Sequence, residues 1–305
     1  MNKKKQVRWK KYLPLYSMLI PGIVYLIINN YIPMAGIMVA FKKYNYSRGI
    51  LGSDWNGFKN FIFLFKTKDA FTITRNTVCY NLVFIFAGTA AAVAVAILLS
   101  EIRAVRMRKT YQTLILLPFL VSIVVVSYIV YGFLSTESGL INHALSDAGK
   151  NKVSWYSDPT WWPFIIVMVH TWKNIGYNCV LYYAALMGID SSYYEAAEID
   201  GAGRWQRIRF ITLPAIRPTV SIMILMAVGK IFYSDFGLFY QIPMNSGPLI
   251  DVTNTIDTYV YRGLMETNNI GMSAAAGVYQ SVVGFMLVVL ANWIVRRQDA
   301  ENALF

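Results

Sequence analysis

The stretch Tyr194–Thr219 reads YEAAEIDGAGRWQRIRFITLPAIRPT, and its order of residue types describes a bent joint between two membrane helices. Ala196 and Ala197 favour a helix and leave a smooth face for close docking. Glu195 supplies a fixed charge at the expected start of that helix, where the dipole favours an anion. Gly201 permits the sharp backbone change that ends one short helix and begins another. Arg204, Arg207 and Arg209 hold the second leg at the membrane surface, and Pro214 suits the first turn of the next helix. The expected product is a helix-turn-helix elbow, 189–214, anchored in apolar spans at both ends.

Outward from the elbow, the chain reads as a bilayer protein. Of its 305 residues, 56% are hydrophobic and only 14% charged, which argues against a soluble globular domain. Several apolar stretches exceed the ~20 residues that a membrane helix needs. Six spans are expected, at 12–40, 76–100, 111–134, 161–188, 215–238 and 271–295, forming one all-α integral membrane domain over 12–298. Short basic and polar tails, 1–11 and 299–305, flank it. The opening MNKKKQVRWKK is followed by an apolar run too long for a signal core, and it is read as a retained first helix.

Lys and Arg set the expected orientation. One side collects sixteen, six of them in the N-terminal tail (Lys3, Lys4, Lys5, Arg8, Lys10, Lys11), against ten spread over the longer segments of the other side. The positive-inside rule therefore places both termini in the cytoplasm. Lys42, Lys43, Lys59, Lys66 and Lys68 run against that count, because they fall in an outer segment. That segment, with Trp55, Gly57 and the aromatic run Phe58–Phe65, is expected to form short helices lying at the interface.

The net charge of +12 does not signal nucleic acid, since no basic run is interleaved with a soluble aromatic platform. Cys79 and Cys179 lie in apolar stretches and imply no disulfide framework. His143 and His170 stand apart with no ligand cluster, so neither a metal site nor a nucleophilic triad is expected. No G-x-x-x-x-G-K-[ST] loop occurs, so no nucleotide cofactor is expected in this chain. Small residues spaced by four, at Gly88, Ala92 and Ala96 and again at Ser273, Gly277 and Ser281, read as helix-packing seams.

Polar residues inside the spans are the remaining candidates. Lys173, Asn174, Tyr177 and Asn178 sit in the fourth span, and Lys230, Tyr233 and Asp235 in the fifth. A charge at that depth must face a cavity or a partner. Two readings stand: a polar wall of a translocation path, or a network of interhelical hydrogen bonds. Basic residues outnumber acids there, which hints at acidic sugars.

The elbow also carries a resemblance. Glu195-Ala196-Ala197, three residues, Gly201, nine residues, then Ile211-x-Leu213-Pro214 is similar to the signature of the inner-membrane permeases of binding-protein-dependent ATP-driven importers. WKNIGYNCVLYYAALMGIDSSYYEAAEIDGA resembles their carbohydrate-uptake branch. IDTYVYRGLM and ANWIVRRQDAENALF resemble permeases of oligosaccharide and polysaccharide-fragment importers within it, so that the likeness covers about 76–305. It implies a type I importer permease fold in a bacterial cell membrane. It implies a coupling helix at the elbow, with Glu195, Ala196, Ala197, Asp200, Gly201, Arg204 and Pro214 serving a dimeric cytoplasmic ATPase that binds the ATP and Mg. It further implies a second, homologous permease, an extracytoplasmic solute-binding protein and an oligosaccharide substrate. An ion-gradient-driven secondary transporter, and a membrane receptor or enzyme, are the alternatives. The first lacks visible inverted repeats and the second lacks a clustered catalytic set.

Overall fold

A computed structural model describes residues 9–298 of the chain. The terminal tails, with Lys3, Lys4, Lys5, Arg8 and the segment 299–305, lie outside the described residues, as do the side chains of Lys10 and Lys11.

The first helix, α1 (Trp9–Leu26), continues through a π-helical turn at Ile27–Tyr31 into a 3-10 segment at Ala35–Phe41. Every residue from Tyr16 to Ala35 is exposed within the isolated chain, and only the 3-10 end docks on the body. The outer segment then forms a two-stranded antiparallel ladder, β1 (Lys42–Lys43) with β2 (Asp54–Trp55). Lys42 donates from Nζ to the carbonyls of Ile50 and Leu51, both at 2.9 Å, closing this loop on itself. Short helical turns at Lys59–Phe61 and Phe63–Lys66 follow.

Helix α2 (Lys68–Ser100) begins eight residues before the expected 76 and runs 33 residues, touching all three cores of the molecule. The expected third span at 111–134 is not one helix. It is α3 (Val105–Leu120) and α4 (Ile123–Leu134), bent by 95° at Val121–Ser122. Pro118 sits in the last turn of α3, where a missing N–H weakens continuation. Helix α5 (Trp162–Met187) is the main partner of α2. Gly88, Ala92 and Ala96 are buried, and Ala92 and Ala96 share one core with Cys179 and Tyr182 of α5, whereas a Cβ at Gly88 would meet no atom within 4 Å, so the packing seam is carried by the two alanines.

The elbow follows as α6 (Ser191–Ile199) and a second leg that enters α7 (Leu213–Val228) through a π-helical stretch at Ile208–Thr212. The expected fifth span, 215–238, therefore ends ten residues early. Residues 229–235 leave the helix before the shorter helices α8 (Phe236–Gln241) and α9 (Ile256–Met265). The last helix, α10 (Ile270–Gln298), packs along the 3-10 end of the first span and along α9. Its seam departs from expectation: Ser273 is buried against Gly263, whereas Gly277 is only partly covered and Ser281 is exposed. The buried row instead runs through Ser273, Ala276, Gln280 and Gly284.

Four helical stretches among the described residues are long and apolar enough to cross a bilayer, or five if the bent α3–α4 pair is one span. Helix α5, the expected fourth span, has 26 residues. At ~1.5 Å per residue it is about 39 Å long. His170, Lys173, Asn174 and Asn178 dilute its apolar character.

Candidate functional site: the elbow and the braced break

The elbow is built from local rules. Asp190, not Glu195, starts the helix: its Oδ1 accepts from Ser192 N at 2.9 Å. That bond holds the exposed Asp190 carboxyl below its ordinary range. Glu195 lies one turn further on, where Oε1 accepts from the hydroxyl of Ser191 at 3.2 Å. The sequence carried the signal missed above, since an Asp just before a helical run is a common N-cap. At the other end Gly201 takes φ +77°. Ala202 N donates to Ala197 O at 2.8 Å and Gly201 N to Glu198 O at 3.1 Å, the paired bonds of a Schellman stop.

The second leg is stapled to the first. Tyr194 Oη and Thr212 Oγ1 share a 3.0 Å hydrogen bond, and Arg207 pairs with Glu198 at 3.5 Å. Arg204 pairs with Glu101, at the end of α2, at 3.2 Å. Each ion pair is solvent-accessible and individually worth under ~1 kcal/mol, but together with the hydrogen bond they close the elbow on itself and tie it to the end of α2. Pro214 occupies the first turn of α7 as expected. Glu195, Ala196, Asp200 and Gly201 are exposed and Ala197 partly so. The tip also presents Tyr193, Ile199 and Trp205, with Ile199 87% exposed. Of these, Tyr193 reads from the sequence as an interfacial anchor, whereas Ile199 and Trp205 were not singled out, because an isolated apolar residue in a polar loop carries no periodic signal.

The polar residues of α5 divide by environment. Lys173 does not face open space: its Nζ donates to the carbonyls of Pro118, Phe119 and Val121 at 3.3, 3.2 and 2.6 Å. It is a cation at the C-terminal end of α3, where carbonyls lack helical partners and the dipole is negative. Three residues on, a Cβ at Gly176 would overlap the Ile115 carbonyl, so α3 and α5 touch backbone to backbone. Asn174 Nδ2 bonds back to His170 O at 2.9 Å. Tyr177 is half exposed and stacks on Phe119 with centroids 4.8 Å apart. Asn178 is partly buried one turn beyond Asn174.

Lys230, Tyr233 and Asp235 lie on the non-helical break after α7, not in a span. All three are exposed, while Ile231 and Phe232 between them are buried. Asp235 also caps α8, accepting from Leu238 N at 3.1 Å. The break is braced from three helices. Asn81 of α2 donates from Nδ2 to the carbonyls of Ile231 and Tyr233, both at 2.9 Å. Gln280 of α10 donates to Phe232 O at 2.7 Å and to Asp257 Oδ2 at 3.0 Å. Asp257 of α9 accepts from Ser234 N and Oγ, each at 2.7 Å. Backbone that leaves a helix while its Ile231 and Phe232 are buried needs such partners, because an unpaired buried carbonyl is costly. Sequence reasoning missed Asn81, Asp257 and Gln280, since nothing local marks a side chain whose partner lies 150, 23 or 48 residues away. Among the described residues, no hydrogen bond or ion pair joins the α5 set to the break.

An elbow projecting from a helical membrane body is a general shape, and comparison with known proteins decides what carries it. Residues 86–300 match the family model described as "Binding-protein-dependent transport system inner membrane component". The chain belongs to this family of importer permeases. The permease is 36% identical over 288 residues to protein LplB of Bacillus subtilis (strain 168), covering 94% of this chain and 90% of that one. It is 34% identical over 296 residues to the polygalacturonan/rhamnogalacturonan transport system permease protein YteP of the same organism, covering 96% and 90%. Its fold matches a crystal structure of a bacterial ABC transporter involved in the import of the acidic polysaccharide alginate, with TM-score 0.85, 32% identity, and coverage of 94% and 96%. A second match, TM-score 0.84 at 32% identity, is to a bacterial alginate ABC transporter in complex with alginate pentasaccharide-bound periplasmic protein. The permease is thus a multi-pass membrane transport subunit with the ABC importer permease fold. It is not an enzyme, and ATP hydrolysis belongs to a separate subunit. The ion-gradient and receptor or enzyme alternatives fall with this membership.

Proposed function

We propose that this permease forms half of the path by which an ATP-driven importer takes up an oligosaccharide handed over by an extracytoplasmic binding protein. The observation that carries the reading is the elbow: a capped, stapled helix whose apolar tip stands clear of the body, shaped to sit in a groove of a cytoplasmic ATPase. In this reading both termini are cytoplasmic, the spans number six with α5 as the fourth, and ATP and Mg are bound by the dimeric ATPase. Closure of the ATPase draws the elbow inward and turns α2, α5 and α7 with it. Nucleotide and loaded receptor must favour different conformers for either to drive that change.

The uncovered α1 supports a second, homologous permease. A helix exposed on every side from Tyr16 to Ala35 has packing to gain from another membrane subunit. Carbohydrate as the cargo is supported by the names of the relatives above. An acidic oligosaccharide is the finer reading, favoured by the exposed Lys230 on the braced break and by relatives named for polygalacturonan and alginate. The test is co-purification of the complex in lipid, followed by ATPase assays with a panel of receptor-bound neutral and uronate-containing glycans. Stimulation by a carbohydrate-loaded receptor is expected. Stimulation by none of them, with an intact complex, would remove the carbohydrate assignment.

A further inference from the structure

The end of α2 remote from the elbow holds a second stretch of backbone besides the break. Asn76, Thr77 and Tyr80 stand there at positions i, i+1 and i+4 of the helix, and all three are buried. Asn76 donates from Nδ2 to the carbonyls of Asp251 and Asn254, both at 2.9 Å. Thr77 Oγ1 accepts from Ile256 N at 3.0 Å while donating to Ile73 O, and Tyr80 Oη donates to Val252 O at 2.8 Å. The segment 251–256 is thereby clamped in register with α2. It is also tied to the break, where Ser234 Oγ donates to Thr255 Oγ1 at 2.7 Å. Break and segment thus form one hydrogen-bonded body with the first half of α2.

The other half of the same helix meets the elbow. Ala92, Ala96 and Leu99 share a core with Tyr182 and Leu186, just before the elbow, and with Ile216, just after it. Glu101 adds its pair with Arg204. At ~1.5 Å per residue, about 33 Å of helix without a proline separates Thr77 from Leu99. The chain's own route from the elbow through α7 has no such continuity, because 229–235 leave the helix. Apolar helix faces can slide past one another, whereas the directional bonds of the clamp hold a single register. We infer that α2 is the strut that carries motion of the elbow to segment 251–256, with Asn76, Thr77 and Tyr80 as its positioning residues. The inference rests on the proposed reading that the elbow follows a cytoplasmic ATPase.

The test is hydrogen exchange on the importer assembled with its partner subunits in nanodiscs, with and without trapping by ATP and vanadate. In the unaltered complex, trapping should change exchange in the elbow, 191–201, and by roughly fivefold at 250–256. Thr77→Val with Tyr80→Phe removes two clamp bonds at nearly constant volume. The elbow should still respond in that complex, and 250–256 should not. Ala90→Gly with Ala94→Gly, at two exposed positions, softens α2 between its ends and leaves the clamp whole. That pair should also abolish the response at 250–256 while leaving exchange there unchanged without nucleotide, which a merely local role of the clamp would not produce. A response at 250–256 that survives either pair overturns the inference. So does an unaltered complex whose elbow responds while 250–256 does not, and that result leaves the proposed function standing. An elbow that shows no response sinks the proposed function and the strut with it.

Discussion

Lys173→Met removes the ammonium that serves three carbonyls at the end of α3. The 2.6 Å bond to Val121 O counts as a full charged hydrogen bond, and the contacts at 3.2 and 3.3 Å as weaker ones. A charged bond contributes ~1.5–3 kcal/mol and a cation at a helix C-terminus ~0.3–1. Methionine fills similar volume but leaves the Phe119 and Val121 carbonyls unpaired, while Pro118 O keeps its bond from Val121 N at 3.3 Å, so a loss of about 3 kcal/mol is expected, near a hundredfold in the equilibrium for opening the bend. Hydrogen exchange on the assembled complex in nanodiscs reads this directly: amides around 119–125 should exchange ~100-fold faster in the variant. Lys173→Arg, which keeps the charge, should lose less. If the Met variant leaves exchange unchanged while uptake falls, the bracing argument is wrong and Lys173 acts on the cargo.

Three further outcomes follow from the geometry. Asn81→Leu strands the Ile231 and Tyr233 carbonyls, at ~1–3 kcal/mol each, so receptor-stimulated ATPase should fall while the complex still co-purifies; unaltered stimulation would count against the brace. Gly201→Val places a branched side chain at φ +77°, costing roughly 1–2 kcal/mol, and should weaken ATPase subunit retention on pull-down, whereas Gly201→Asn should retain more. Asp190 has a depressed carboxyl pKa, so its cap is complete above the ordinary value of 3.8 and is lost as pH falls below it. Acid-induced fraying of Ser191–Ile199 should therefore be absent in Asp190→Asn, which caps without titrating, and circular dichroism of an elbow peptide series or exchange on the complex checks it.

The elbow was legible because its determinants are local: two alanines, a glycine stop and a proline start, all within one short loop. The spans were legible where apolarity is continuous, as in α2 and α10. They failed at the two places where tertiary partners override a locally apolar run. At Val121–Ser122 the chain bends because Lys173, from another helix, accepts the cost of the freed carbonyls. At 229–235 it unwinds because Asn81 and Gln280 do the same. Both breaks are long-range bargains between a backbone and distant amide or amine side chains, invisible to any window of sequence. The polar residues of the fourth span were found for the right reason, their expense in a bilayer, but Lys173 had a structural partner that spacing could not reveal.

The bracing of 229–235 carries a consequence for biogenesis. As the ribosome delivers the chain, Asn81 is already in the bilayer when Ile231 emerges, whereas Asp257 and Gln280 are still to be made. The carbonyl of Phe232 must wait for a residue near the end of the polypeptide, so the break gains its full set of partners only after the final helix is threaded. A chain truncated ahead of Gln280 can insert most of its apolar segments and still lack a finished brace.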